Sequence, residues 1–305
     1  VAAAMFWLTR TFFLTDDLDD PRAIVIARDD PSAVPGSRGQ GIRESGEGDS
    51  TEDSAREGSG AVGRFSSVKA FYQANAEAFS VITVLHPGTG DPINDLLGDR
   101  EQYFGVTVAD TYTSLLILTD ALQAGKDDRI LVQIGDTSAE GTLVGRDSIT
   151  GLSVIRVRRA AFGQAYRTAS LGNSFRAEAG DTLFLAGAPD RTPVSLSEGM
   201  ITHIFRYAPV TDGYLQEIRT DFSREIHGYG ALFNTDGELV GWFSDFTSGS
   251  APSVRAMGIS SVKYLVEDLC SGRETAFLGV LCTEIGEQEA EQAGIAAGLY
   301  VSDVL

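Results

Sequence analysis

A mainly β fold follows from three features of the 305-residue sequence. Short runs rich in Val, Ile, Leu, Thr and Phe recur from about residue 79. Gly, Asp, Asn, Pro and Ser divide them, and few of the intervening stretches have helical spacing. A half-buried strand must close its apolar side against other strands, so many short strands at regular spacing predict an all-β barrel or sandwich.

The elements run in order. "SSVKAFYQANAEAF" (66–79) suits a helix. Strand runs come next: "SVITVLH" (80–86), "YFGVTVA" (103–109), "SLLILTD" (114–120), "RILVQIG" (129–135), "EGTLVGRD" (140–147) and "LSVIRVR" (152–158). The series continues with "DTLFLAGAP" (181–189), "EGMITHIFRYAP" (198–209), "LQEIRTDF" (215–222), "GALFN" (230–234) and "LVGWFSD" (239–245). Between the last two, "TDGE" has the residues of a hairpin turn. "ISSVKYLVEDLC" (259–270) carries Val262, Leu265, Val266 and Leu269 at helical spacing and closes the β region.

Upstream, the texture differs. "VAAAMFWLTRTFFL" (1–14) is apolar apart from Arg10. A bilayer span needs about 20 residues, so the segment reads as the end of a membrane anchor, with an interfacial helix or a signal-peptide remnant as alternatives. No Lys or Arg falls between Arg10 and Arg22, which favours the outer side of the membrane for the residues downstream. Residues 15–64 read as a flexible acidic linker, rich in Gly, Ser and Pro, because such a stretch buries too little apolar area to offset its ordering entropy. "RAIVIA" (22–27) is the exception, and has the pattern to dock on a neighbour as a strand.

Net charge is −19, so the basic footprint of a nucleic-acid binder is absent. Cys270 and Cys282 are too few for a disulfide framework and lack metal-site spacing. One bridge outside the cytoplasm and two unpaired thiols are both open. The chain has no metal cluster, phosphate loop or nucleotide fingerprint, and no cofactor is expected.

Six stretches, in one order, carry a resemblance over about 75–305. They are "GTLVGRDSITGLSVIRV" (141–157), "SLGNSFRAEAGDTLFLAGAP" (170–189), "SLSEGMITHI" (195–204), "LQEIRTDFSREIHGYGALFNTDGELVGWFSD" (215–245), "AMGISSVKYLVEDL" (256–269) and "FLGVLCTEIGEQEAEQAGIAAGLYVSDVL" (277–305). Together they resemble the HtrA/DegP family, a trypsin-like double β-barrel followed by a PDZ domain. The resemblance implies a double-barrel domain at 65–272 and the N-terminal half of a PDZ domain at 273–305.

A serine protease needs a hydroxyl, an imidazole to activate it and a carboxylate to orient the ring. The resemblance puts Leu122 at the imidazole position, Gly151 at the carboxylate position and Gly228 at the nucleophile position. Shifting the last by one residue offers only His227 or Tyr229, and Ser223 lies too far back. The three histidines are His86, His203 and His227, so none falls between 87 and 202. Asp147 matches a family position that is often acidic without being catalytic. For the PDZ part, the resemblance implies a carboxylate-binding loop at Phe277, Leu278, Gly279 and Val280.

The expectation is a pseudoprotease without enzymatic activity. It would be a membrane-tethered, extracytoplasmic scaffold or accessory subunit, as in a bacterial periplasm. Its partners would be proteins, an integral membrane complex first and further copies of itself second. The alternatives are an active HtrA-like endopeptidase or chaperone with an unrecognised site, and a PDZ-based peptide sensor.

Overall fold

The computed structural model describes residues 24–31, 65–86, 100–120, 122–187, 194–210, 213–223, 230–243, 253–273 and 279–304. The expected anchor (1–14), most of the linker, His227, Gly228, Tyr229, Phe277 and Leu278 lie outside them. Among the described residues no helix is long and apolar enough to cross a membrane.

Twelve strands form two closed six-stranded barrels. The first contains β1 (Phe79–Leu85), β2 (Arg100–Asp110), β3 (Ser114–Asp120), β4 (Arg129–Ile134), β5 (Thr137–Arg146) and β6 (Leu152–Arg158), in the order β1-β2-β3-β6-β5-β4. The second contains β7 (Thr182–Gly187), β8 (Ser195–Val210), β9 (Gly213–Ser223), β10 (Gly230–Asn234), β11 (Leu239–Phe243) and β12 (Ser253–Gly258), in the order β10-β11-β12-β9-β8-β7. All named neighbours pair antiparallel. Closure removes the exposed edges that an open sheet of this size would have to protect.

The expected runs agree with the strands; "GALFN" and the helix over 259–270 match end to end, and β11 covers the first five residues of "LVGWFSD". Within the barrels, the strand that the pattern did not reveal is β12, "SVRAMG". It is short, and Ser253, Arg255 and Gly258 interrupt its apolar residues Val254, Ala256 and Met257. It pairs with β9 and β11 because the second barrel needs a sixth strand to close.

Each barrel has its own apolar interior. Ile82, Leu115, Ile117, Val132 and Ile155 fill the first. Leu185, Ile218, Leu232, Phe243 and Val254 fill the second. A third cluster lies between them and holds the aromatic rings together. Helix α1 (Val68–Asn75) drops the fully buried Phe71 into it. Phe71 stacks on Phe184 at 5.0 Å and packs against Phe233 at the same distance, while Phe104 faces Trp242 at 6.2 Å. The helix starts where Ser67 Oγ accepts the Ala70 N–H, which satisfies an otherwise orphaned donor.

Helix α2 (Ile259–Cys270) roofs this central cluster with Ile259, Val262, Leu265, Val266 and Leu269. Beyond it, β13 (Val280–Ile285), α3 (Glu287–Ala293) and β14 (Gly298–Val304) form a two-stranded antiparallel unit with an intervening helix. Both cysteines are free thiols, so the bridge option falls away. Burial pushes the Cys270 thiol up to about 12, which makes it inert.

Candidate functional site

Strands β3 and β6 bring two of the expected positions to one end of the first barrel. Asp120, the last residue of β3, pairs with Leu152, the first of β6. Leu122 and Gly151 therefore leave the same end of one ladder. Gly228 lies outside the described residues.

Leu122 is fully buried. It packs into the interior of the first barrel with Ile82, Leu115, Ile117 and Ile155, not into the cluster between the barrels. Tyr103 holds this segment in place. Its hydroxyl accepts the Gln123 N–H at 3.0 Å and donates to the Glu101 carboxylate. Burial, with the anion of Glu101 beside it, pushes the Tyr103 phenol well above its usual range. The leucine thus acts as an apolar stopper at the end of the barrel.

Gly151 closes a tight turn at φ 77°. Its N–H donates to the Asp147 carbonyl at 3.0 Å, and Asp147 N–H donates to the Leu152 carbonyl at 2.8 Å. The Asp147 carboxylate is almost buried and accepts Thr150 N–H at 2.6 Å and Thr150 Oγ–H at 2.7 Å. These contacts make Asp147 a turn-forming residue. A residue with a β-carbon at 151 would strain this turn.

One residue beyond the segment that holds Gly228 and Tyr229, Gly230 opens β10 between Gly187 of β7 and Phe243 of β11. A β-carbon there would lie 2.3 Å from the Ala186 carbonyl oxygen, so the close approach of β7 demands glycine. The "TDGE" turn is present, with Gly237 at φ 83° and Asn234 Oδ1 accepting the N–H groups of Asp236 and Glu238.

Two of the three histidines are described. His86 follows β1 and its Nδ1 lies 3.0 Å from Asp128 Oδ2. This imidazole–carboxylate pair has a catalytic look, yet it sits on the β1–β4 side of the barrel rim. Two strand spacings, about 10 Å, separate that side from β3. His203 lies on β8, its ring 4.2 Å from that of Phe205. Among the described residues no group of His, Cys, Asp and Glu is arranged to hold a metal.

A cavity of about 540 Å³ opens in the second barrel, lined by Arg176, Asp181, Leu183, Ile201, Asn234 and Asp236 among others. It lies at the end of the β7–β10 ladder away from Gly230. Leu183 and Asn234 pair with each other four residues along from the Gly187–Gly230 pair, at the opposite end of the barrel. In the C-terminal unit, Gly279 is buried at φ 74° and leads into Val280 at the start of β13, which suits a turn before a strand.

The least expected polar arrangement lies on α2. Residues 24–31 run along it, with Asp29 against Lys263 and Arg28 against Glu267. The apolar alternation of "RAIVIA" signalled docking, but the segment pairs with a helix and not with a strand.

Comparison with known proteins agrees with this architecture. A family model described as a trypsin-like peptidase domain matches residues 104–241. A probable periplasmic serine endoprotease, DegP-like, from Pseudomonas savastanoi pv. phaseolicola is 31% identical over 198 residues, covering 62% of this chain and 40% of the relative. Serine endoprotease DegS of Haemophilus influenzae is 32% identical over 148 residues, covering 47% and 42% respectively. The chain thus spans less than half the length of these relatives. Among solved structures, the HtrA-type protease AlgW with a decapeptide superposes with a TM-score of 0.55 at 22% identity, covering 78% of this chain and 79% of that one. That likeness concerns the fold alone. From the paired barrels, the family model and the named relatives together, the chain carries a trypsin-like peptidase domain and is similar to HtrA-type proteases.

Proposed function

We propose that this protein is a non-catalytic HtrA-like pseudoprotease that serves as a scaffold or accessory subunit. One observation carries the reading: the residue at the imidazole position, Leu122, is fully buried in the first barrel's own core. A general base must reach the hydroxyl it activates. Leucine has no proton to exchange, and no histidine occurs between 87 and 202 to take over by a shifted alignment. Glycine at 151 likewise offers no carboxylate to orient a ring.

The names of the DegP-like relatives support an extracytoplasmic body. The apolar residues 1–14 support attachment to a membrane, with an integral membrane complex as the partner. Gly279 and Val280 support a peptide-binding role for the C-terminal unit, continued from Phe277 and Leu278.

The same relatives favour a second reading, an active serine endopeptidase, since they are named as such. A serine-directed fluorophosphonate probe and unfolded casein separate the two. The expected result is neither labelling nor cleavage. Labelling of any serine overturns the pseudoprotease reading. Pull-down in mild detergent tests the scaffold: co-purification with a membrane complex is expected, and its loss on deletion of residues 1–14 places the contact there.

A further inference from the structure

Helix α2 buries a cation among its apolar residues. Lys263 is only 4% exposed, within the same helix as the buried Val262, Leu265 and Val266. A buried ammonium is tolerated only beside an anion. That anion comes from the far end of the chain. Asp29 Oδ2 lies 2.7 Å from Lys263 Nζ and accepts the Ser260 Oγ–H at 2.6 Å. Ser260 in turn ties into the second barrel: its Oγ accepts the Ser174 N–H at 2.8 Å and its N–H donates to Ser174 Oγ at 3.0 Å.

A second anchor lies one helical turn further on. Ile26 N–H donates to Glu267 Oε2 at 2.9 Å, and the Arg28 guanidinium is 3.3 Å from the same oxygen. Ile24 and Ile26 pack on the central core, whereas Val25 between them is 80% exposed. The segment is therefore extended, with alternate residues facing in, and α2 side chains supply the partners that a strand would otherwise give. The other oxygen of Glu267 lies 3.4 Å from Arg273, which also grips Asp268 at 2.6 Å. Arg273 is where the chain leaves α2 toward β13. One carboxylate thus touches both the amino-terminal segment and the start of the C-terminal connection.

We propose that α2 carries a docking groove for an extended apolar–basic–acidic segment, filled in cis by residues 24–31, and that Glu267 couples this clasp to the connection at Arg273. Seating the clasp places Arg28 and the Ile26 N–H on Glu267, and so orients the carboxylate that meets Arg273. Linkage makes the effect reciprocal: displacement at Arg273 weakens the clasp by the same factor. A pull on the amino-terminal segment would then reach the C-terminal unit through a single helix. The clasp holds whether or not the barrels cut peptides, so its failure and that of the pseudoprotease reading are independent.

The test uses the full chain and limited trypsin digestion. Cleavage after Arg28 requires the clasp to detach, so its rate reports the open fraction. Lys263→Met removes the cation without touching the cleaved segment or Arg273. Cleavage after Arg28 is expected to speed up about tenfold, with an unchanged far-UV CD spectrum. Amide exchange at Arg273 should rise in the same variant. An unchanged cleavage rate overturns the clasp. Faster cleavage with unchanged exchange at Arg273 overturns the coupling. If Lys263→Met does not fold, Asp29→Asn read by amide exchange at Ile26 replaces it: faster exchange supports the clasp, and unchanged exchange overturns it.

Discussion

Two places in this molecule invite polar chemistry, and they have opposite content. At the rim where β3 ends and β6 begins, the proposed imidazole and carboxylate positions hold Leu122 and Gly151. On the outside of the central core, α2 could be purely apolar inward, and the chain buries Lys263 with Asp29 at 2.7 Å. Burying charge is costly, and a protein does so where a specific geometry is required. Here that cost falls where residues 24–31 meet α2 and not at the β3–β6 rim. The rim is packed with an apolar side chain; the helix carries the polar junction.

The largest test of this contrast is Leu122→Ala. A stopper residue in a barrel core should lose about 2–5 kcal/mol on truncation, through lost burial and the cavity left behind. Urea denaturation measures it. A loss below about 0.5 kcal/mol, as for a surface position, would mean that the residue faces the cleft after all.

Gly258→Ala probes the junction. A β-carbon there would lie 2.1 Å from Gln216 Oε1 and 2.8 Å from Ser174 Oγ. Gln216 is 1% exposed and its amide donates to the Ser174 carbonyl at 2.8 Å, so yielding space breaks a buried hydrogen bond. A cost of about 1–3 kcal/mol is expected from overpacking. A thermal shift near zero would show that the network around α2 is slack.

Gly151→Ala should cost about 1–2 kcal/mol, since φ is 77° and an L-residue disfavours that region. If it is neutral, the turn relaxes easily and the absence of a carboxylate at 151 has no backbone reason.

The smallest effect concerns the His86–Asp128 pair. The Gly125 N–H, 2.6 Å from Asp128, holds its carboxyl below the usual carboxylate range, and His86 adds to this. A depressed folded pKa gives stability that is present above the unfolded value of about 4 and is lost as pH falls through the folded one. The stability gap between wild type and Asp128→Asn should thus close as pH falls below about 4. A gap that persists unchanged into acid would show that Asp128 is not the titrating group.

Much of this architecture was legible in residue order. Strand runs such as "GALFN" and "LVGWF" declare themselves because apolar, β-branched and aromatic residues suit a pleated buried surface whatever lies across from them. Helix α2 showed itself in the spacing of Val262, Leu265, Val266 and Leu269. The identities at 122 and 151 were equally plain, since side-chain chemistry is a property of the residue alone.

Three matters were settled only by tertiary contacts. "SVRAMG" became β12 because β9 and β11 flank it, and strand formation in so short and mixed a stretch depends on partners more than on propensity. Leu122 turned into the first barrel because Tyr103, about twenty residues earlier in sequence, holds Gln123 by its N–H. The pattern of residues 24–31 announced an apolar face without saying what would cover it. The answer came from Lys263 and Glu267, more than two hundred residues away. Local sequence determined which segments must bury a face; long-range packing decided against what.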